Sequence, residues 1–308
     1  MARLDETASG VFVIAVTPFL PDGALDHHSI DRMVDFYLDA GADGLTVLGV
    51  MGEAPKLTQA ESRAVVRRVL ARVAAQVPVV VGVSAPGLAS IAELTAAVMD
   101  DGAAGVMIAP PGSLRTDDQI VTYYHHAAEA IGDVPFVLQD YPLVTGVQIS
   151  VPVLRRIVAE IPTCVCLKHE DWPGLDKIAA LRTPGALDRR ISILCGNGGL
   201  FLPEEMARGA DGAMTGFAYP EMMVGVVRSH GAGTPDRASD IFDAYLPLAL
   251  YEQQPGIGLG VRKYILARRG VIAHPDLRRP GAGLNPATRA EVDRLIARQE
   301  RRLAELGV

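Results

Sequence analysis

The chain has 308 residues, 49% of them hydrophobic, and sets 29 Lys+Arg against 36 Asp+Glu for a formal net charge of −7. That balance argues against a nucleic-acid surface, which needs a clustered excess of base, and the longest apolar runs, such as residues 77–83, are too short to span a bilayer. Residues 1–9 carry Arg3, Asp5 and Glu6 without an apolar segment, so no secretory signal is read and a cytoplasmic location is expected.

In chain order, short β-branched apolar runs alternate with amphipathic stretches, as in βα units. Strands are expected at residues 11–17, 44–48, 77–83, 105–109, 134–139, 164–168, 191–195 and 212–215. Helical patterns follow them in turn at 30–40, 59–75, 90–101, 119–131, 151–161, 175–181, 200–208 and 221–229. Thr58 and Glu61 form a capping box at the start of the second helix. Arg63, Arg67, Arg68 and Arg72 lie along that helix as ordinary solvated surface. Three helices end in related phrases, Ala40-Gly41-Ala42-Asp43-Gly44, Asp101-Gly102-Ala103-Ala104-Gly105 and Arg208-Gly209-Ala210-Asp211-Gly212, each with a glycine where the chain must turn out of the helix. Repetition of this device favours a closed (β/α)8 TIM barrel over an open doubly wound sheet, since no glycine-rich dinucleotide loop follows the first strand. Beyond residue 231 the alternation stops, and 235–253, 258–269 and 286–306 read as helices. Residues 1–231 are therefore expected to form the catalytic barrel and 232–308 a C-terminal three-helix subdomain.

Cys164, Cys166 and Cys195 cannot all pair and lack zinc-ligand spacing, so they read as reduced, buried thiols. The basic residues include only four lysines: Lys56, Lys168, Lys177 and Lys263. Three fall in loop or helical contexts. Lys168 instead ends the apolar run of the sixth strand, where barrel enzymes carry their chemistry. An amine that loses water on burial gains a nucleophilic neutral fraction. The alternative is a structural ion pair between Lys168 and Glu170 or another inward carboxylate.

Five segments in order, Val16-Thr17-Pro18-Phe19, Gly49-Val50-Met51-Gly52-Glu53, Gln139-Asp140-Tyr141-Pro142, Leu167-Lys168-His169-Glu170 and Cys195-Gly196-Asn197-Gly198-Gly199, resemble the dihydrodipicolinate synthase and N-acetylneuraminate lyase family of class I aldolases over nearly the whole chain. The resemblance implies a barrel with three C-terminal helices, an imine at Lys168, and a homo-oligomer, a dimer or usually a tetramer built from dimers. It also implies a small 2-oxo acid as the partner, with no nucleic acid, membrane, cofactor or metal: the imine is the electron sink that class II enzymes draw from a divalent ion. The Gly49, Val50, Met51, Gly52, Glu53 loop is then expected to bind the oxo-acid carboxylate, with Asn197 and Gly198 also at the substrate. Val50 and Met51 replace the family's small hydroxyl residues, leaving backbone donors for that task, and the glycines could equally serve a tight turn alone.

Departures from the family pattern lie where its proton relay belongs. Gln139 stands where the family has its catalytic tyrosine, Pro110-Pro111-Gly112 where a partner-subunit tyrosine is expected, and Val144 where lysine-pathway members carry an arginine for the second substrate. Dihydrodipicolinate synthase activity itself is not expected. Gln139-Asp140-Tyr141-Pro142, Asn197 and Gln254-Pro255-Gly256-Ile257 look more like the 2-keto-3-deoxy sugar-acid dehydratase branch. Strand alternation puts Tyr141 on the face of residue 139 and Glu170 on that of Lys168, with His169 toward the helices. Tyr141 and Glu170 are thus alternative bases, with a water held by Gln139 a third route. Otherwise Tyr141 packs at the rim and Glu170 is a solvated loop residue. Three functions stay open: a hydro-lyase of a 2-keto-3-deoxy sugar acid, a pyruvate-dependent aldolase, and a non-catalytic oxo-acid-binding sensor.

Overall fold

The computed structural model describes residues 3–307. In chain order its elements are β1 (Gly10–Ile14), α1 (His27–Asp39), β2 (Gly44–Val47), α2 (Gln59–Val73), β3 (Val79–Gly82), α3 (Leu88–Asp100), β4 (Gly105–Ile108), α4 (Asp117–Ile131), β5 (Phe136–Asp140), α5 (Pro142–Thr145), α6 (Val151–Glu160), β6 (Cys164–His169), α7 (Leu175–Arg182), β7 (Ser192–Cys195), α8 (Leu202–Ala207), β8 (Gly212–Thr215), α9 (Pro220–Gly231), α10 (Pro235–Glu252), α11 (Gly258–Arg268) and α12 (Pro286–Leu306). The strands pair in parallel in the order β1 to β8, and β8 closes on β1. The chain is a (β/α)8 barrel followed by C-terminal helices. No helix among the described residues is long and apolar enough to cross a membrane.

Each expected strand is present, because a parallel strand covered on both faces must be apolar on both. One face of each builds the barrel interior, where Phe12, Ile14, Val80, Met107, Val137, Cys166, Leu194 and Met214 cluster. The other face packs on the helix layer through residues such as Val11, Val13, Leu45, Val79, Val81, Leu138, Leu167 and Ile193. The strand ends are shorter than the apolar runs: β1 stops at Ile14 and β3 starts at Val79. Several helices begin earlier than their apolar pattern, at His27, Leu88 and Asp117. Two of these polar first turns are held by caps, Asp26 accepting from the Ser29 N–H and Thr116 forming a capping box with Gln119. The Thr58–Glu61 box is formed as expected. Gly41, Gly102 and Gly209 all adopt positive φ, at 87°, 104° and 94°. α5 has no counterpart in the sequence reading, being a single turn after Tyr141 that starts on a proline. All three cysteines are free and buried.

Behind β7, on the helix side, Glu205 of α8 is buried at 6% exposure, with Oε2 unpaired among the described residues. Burial pushes its carboxyl up to about 8, partly offset by a hydrogen bond with the Cys195 thiol. A folded-state pKa above the ordinary 4.5 means that the stabilisation is complete below about pH 4.5 and is lost as pH rises toward 8. Glu205→Gln keeps the volume and removes the titration. The unfolding free energy of wild type relative to this variant should fall between pH 5 and pH 8 by roughly 1.4 kcal/mol per unit, measured by urea denaturation at several pH values. A pH-independent difference would show that Glu205 does not titrate in this window.

Candidate active site

Strand β6 alternates its side chains about the barrel wall: Cys166 faces the interior, Leu167 the helix layer. By the same period Lys168 points inward and His169 outward. Glu170, one step beyond the strand, returns to the face of Lys168, and the two form a salt bridge with Nζ 2.9 Å from Oε2. Both side chains are 6% exposed, so Glu170 is not a solvated loop residue. Gln139, in register with Lys168 on β5, donates its amide to the same Oε2 at 2.7 Å. The structure thus brings Lys168, Glu170 and Gln139 together about one oxygen.

The turn after β7 supports that carboxylate. A Cβ on Gly196 would overlap the Glu170 side chain, so only glycine lets the carboxylate lie across it. Asn197 takes the left-handed conformation at φ 49° and donates its side-chain amide to the Glu170 carbonyl at 2.9 Å. Its backbone N–H approaches Oε1 at 3.5 Å. The Gly198 N–H donates to the Thr215 hydroxyl at 2.8 Å, tying this turn to the end of β8.

Lys168, Glu170, Gln139, Asn197 and Gly198 line one small cavity, of about 30 Å3, which Val50, Met51, Tyr141 and Arg262 also border. That space holds little more than a water molecule. A substrate must therefore displace side chains at the mouth, where Val50 is 52% exposed. Tyr141 borders the cavity. Burial pushes its phenol up to about 12, the Glu170 carboxylate adding to the rise and the Arg262 guanidinium opposing it. At neutral pH it is a proton-bearing group, a donor rather than a base.

Within the Gly49–Glu53 loop the expectation divides. Val50 and Met51 line the cavity, whereas Gly49, Gly52 and Glu53 do not. The loop is a single 3-10 turn over Val50–Gly52, anchored by the Thr17 hydroxyl on the Gly52 carbonyl at 2.6 Å. As its first two residues, Val50 and Met51 have N–H groups left unpaired by the turn itself. Glu53 takes φ 54° and turns its carboxylate away, to Lys263 at 2.6 Å and Lys56 at 2.7 Å. It serves as an anchor for α11 rather than as a lining residue. Gln254 likewise lies outside the cavity, bonded to the Tyr251 carbonyl, and its neighbour Gln253 takes the wall.

On the outer face of the same strands, Lys177 bridges Asp140 at 2.8 Å and Asp171 at 2.6 Å. Burial holds the Asp140 carboxyl up at about 6 against the pull of Lys177. Burial, with Lys177 nearby, lowers His169 to about 4, and its Nε2 lies 3.1 Å from the Gly174 carbonyl. His169 is a neutral structural donor behind the wall. Sequence reasoning did not single out Thr215, Gly216, Gln253, Arg262 or Ile14. Thr215 and Gly216 carried one usable signal, their place at the end of the last strand.

The profile of the dihydrodipicolinate synthetase family matches residues 7–299. An L-2-keto-3-deoxyarabonate dehydratase of Azospirillum brasilense is 33% identical over 287 residues, covering 92% of each chain. A 4-hydroxy-tetrahydrodipicolinate synthase of Chlorobium luteolum is 31% identical over 296 residues, 92% of this chain and 95% of that one. Among solved structures, a dihydrodipicolinate synthase of Rhodopseudomonas palustris superposes with a TM-score of 0.94 at 55% identity, over 97% of this chain and 100% of that one.

The two lysines on Glu53 differ in burial, Lys263 at 0% and Lys56 at 29% side-chain exposure. Lys263→Met leaves a buried carboxylate short of a partner and should destabilise the fold by about 3–5 kcal/mol. Lys56→Met should cost about 1 kcal/mol or less. Urea denaturation of both variants checks the order; equal costs would show that burial does not set the value of these pairs.

Proposed function

The chain belongs to the dihydrodipicolinate synthetase family, a family of class I lyases, and we propose that it is a hydro-lyase that holds a 2-keto-3-deoxy sugar acid as an imine on Lys168. It is proposed to act in the cytoplasm as a homo-oligomer. The observation that carries the reading is a single buried amine at a barrel strand end, 2.9 Å from a carboxylate and facing a small cavity. That is the arrangement an imine-forming enzyme needs: an enclosed nucleophile with a proton acceptor in contact.

The Lys168 amine attacks the substrate C2 carbonyl, and loss of water leaves an iminium. This acidifies C3. Glu170, released from the amine when it becomes an imine, accepts a C3 proton, while Gln139 and the Asn197 backbone keep its carboxylate in place. The enamine electrons then expel the C4 hydroxyl, which departs as water with a proton from the Tyr141 phenol; hydrolysis of the resulting conjugated iminium frees the product and Lys168, and the proton held by Glu170 returns through water to the phenolate. Val50 and Met51 hold the substrate carboxylate through backbone N–H groups. Resemblance to the Azospirillum dehydratase along 92% of each chain supports the dehydratase branch. Relatives named as synthases weigh the other way, but Gln139 stands where the relay phenol belongs, and Val144, 56% exposed, lies outside the cavity where that chemistry would need a guanidinium.

An aldolase would share the imine and differ in product; a sensor would bind without turnover. Pyruvate with borohydride should add one reduced pyruvate to the intact mass of the wild type and none to Lys168→Ala. A wild type without the adduct overturns the imine. Incubation with a 2-keto-3-deoxypentonate should give dehydrated product and no pyruvate; pyruvate release would establish the aldolase, and no turnover the sensor.

The division of labour between acid and base is also testable. Glu170→Gln should lower kcat by roughly 10²- to 10⁴-fold while leaving imine trapping intact. Tyr141→Phe should slow substrates whose hydroxyl must leave, and the wild-type kcat should show no basic limb from this phenol below about pH 10, its pKa being near 12. Near-wild-type kcat in Glu170→Gln would remove the carboxylate as base.

A further inference from the structure

Arg262 is an arginine from α11 that is 1% exposed and still borders the cavity of Lys168. Burial of a guanidinium demands partners for its donors. Its Nε donates to Glu252 Oε1 at 2.6 Å, and its Nη2 to the Gly216 carbonyl. Glu252 is itself fully buried, with its other oxygen on the Ala218 N–H at 3.1 Å. Nη1 alone has no partner among the described residues. It lies over Gly216, where any Cβ would overlap it, so the glycine that follows β8 clears the space into which this nitrogen reaches. A buried charged donor left open beside an active cavity is an unmet demand that a bound oxygen would satisfy.

The form of that oxygen follows from which donors are free. An arginine that grips a carboxylate uses two nitrogens in a fork. Here Nε and Nη2 are engaged, which leaves Nη1 as the one nitrogen without a partner among the described residues and no second free nitrogen beside it to complete a fork. The Glu252 carboxylate already balances the charge, so a second anion is not needed to neutralise it. Around the same cavity stand Gln253, Asn197 and Thr215, amides and a hydroxyl rather than further bases. We infer that Arg262 is a specificity-determining residue whose Nη1 donates to a hydroxyl oxygen of the substrate chain beyond the imine carbon. It thereby selects polyhydroxylated 2-oxo acids over pyruvate. The inference rests on the imine reading for where the substrate is anchored.

The test compares two ligands that share the oxo-acid head and differ in the hydroxylated tail. Arg262→Lys shortens the donor; Arg262→Met/Glu252→Met replaces the whole buried pair with apolar volume, so that the fold is kept without an uncompensated carboxylate. For both variants KM for a 2-keto-3-deoxypentonate should rise roughly ten- to hundredfold, the worth of one charged hydrogen bond. The pyruvate concentration for half-maximal borohydride trapping should stay within about twofold of wild type. Equal losses for both ligands would show that Arg262 holds the carboxylate or only the fold, and no loss for either would show that Nη1 meets no substrate atom; both overturn the inference. Should the wild type form no adduct, the imine reading fails separately. Calorimetric titration with the hydroxylated acid and with pyruvate then measures the same ratio, and an unchanged ratio in the variants again overturns the role of Arg262.

Discussion

Lys168 and Glu170 meet at 2.9 Å inside a barrel that excludes nearly all solvent from both. Taking two charges out of water costs several kcal/mol per ion, and their attraction offsets this only when the remaining lone pairs are also satisfied. Much of the surrounding architecture does that. Gln139 faces the carboxylate from the neighbouring strand, Asn197 reaches it from the next, and Gly196 makes room for it. Gln139 lies near the end of β5, Glu170 follows β6, and Gly196 and Asn197 follow β7, so the ends of three neighbouring parallel strands meet around one carboxylate.

The wall that carries this pair is charged on both faces. Residue 168 looks inward, and on the outer face Lys177 draws together Asp140 and Asp171 behind the same strands. His169 between the two layers is kept neutral by burial and by Lys177, so it adds no third positive charge. The outer cluster fixes the loops that follow β5 and β6, and with them the heights of Tyr141 and Glu170. Lys168 is distinguished from Lys177 by the face it occupies, since both sit against carboxylates.

Strand positions were legible because a parallel barrel strand must be apolar on both faces, which leaves a run that few other structures explain. Period-2 alternation then placed Lys168, Glu170 and His169 on their observed sides. Helix starts were less legible, since polar first turns such as His27–Ser29 owe their helicity to a cap and carry no apolar rhythm. The Gly49–Glu53 loop was half legible. Its glycines and Glu53 read as a binding motif, yet the carboxylate is claimed by Lys263, a residue 210 positions away, and no local pattern announces that pairing. Arg262 was illegible for the same reason: an arginine in a basic helix reads as surface until Glu252 and the Gly216 carbonyl are seen to take it inside.

Replacement of the relay tyrosine by Gln139 changes more than one residue's role. A phenol relay carries protons along a chain of hydroxyls and can deliver them to a second substrate. An amide cannot ionise in that way; it can only hold a carboxylate in place. On the mechanism proposed above, proton traffic then contracts to two groups, the carboxylate already touching the lysine, which takes a proton, and a buried phenol across the cavity, which holds its own until the leaving hydroxyl takes it. Such a site favours chemistry completed within a single substrate, one proton removed next to the imine and one returned to a leaving group, over condensation with a second molecule. The cavity wall points in the same direction, because the amides of Gln139, Asn197 and Gln253 offer hydrogen bonds along one polar chain.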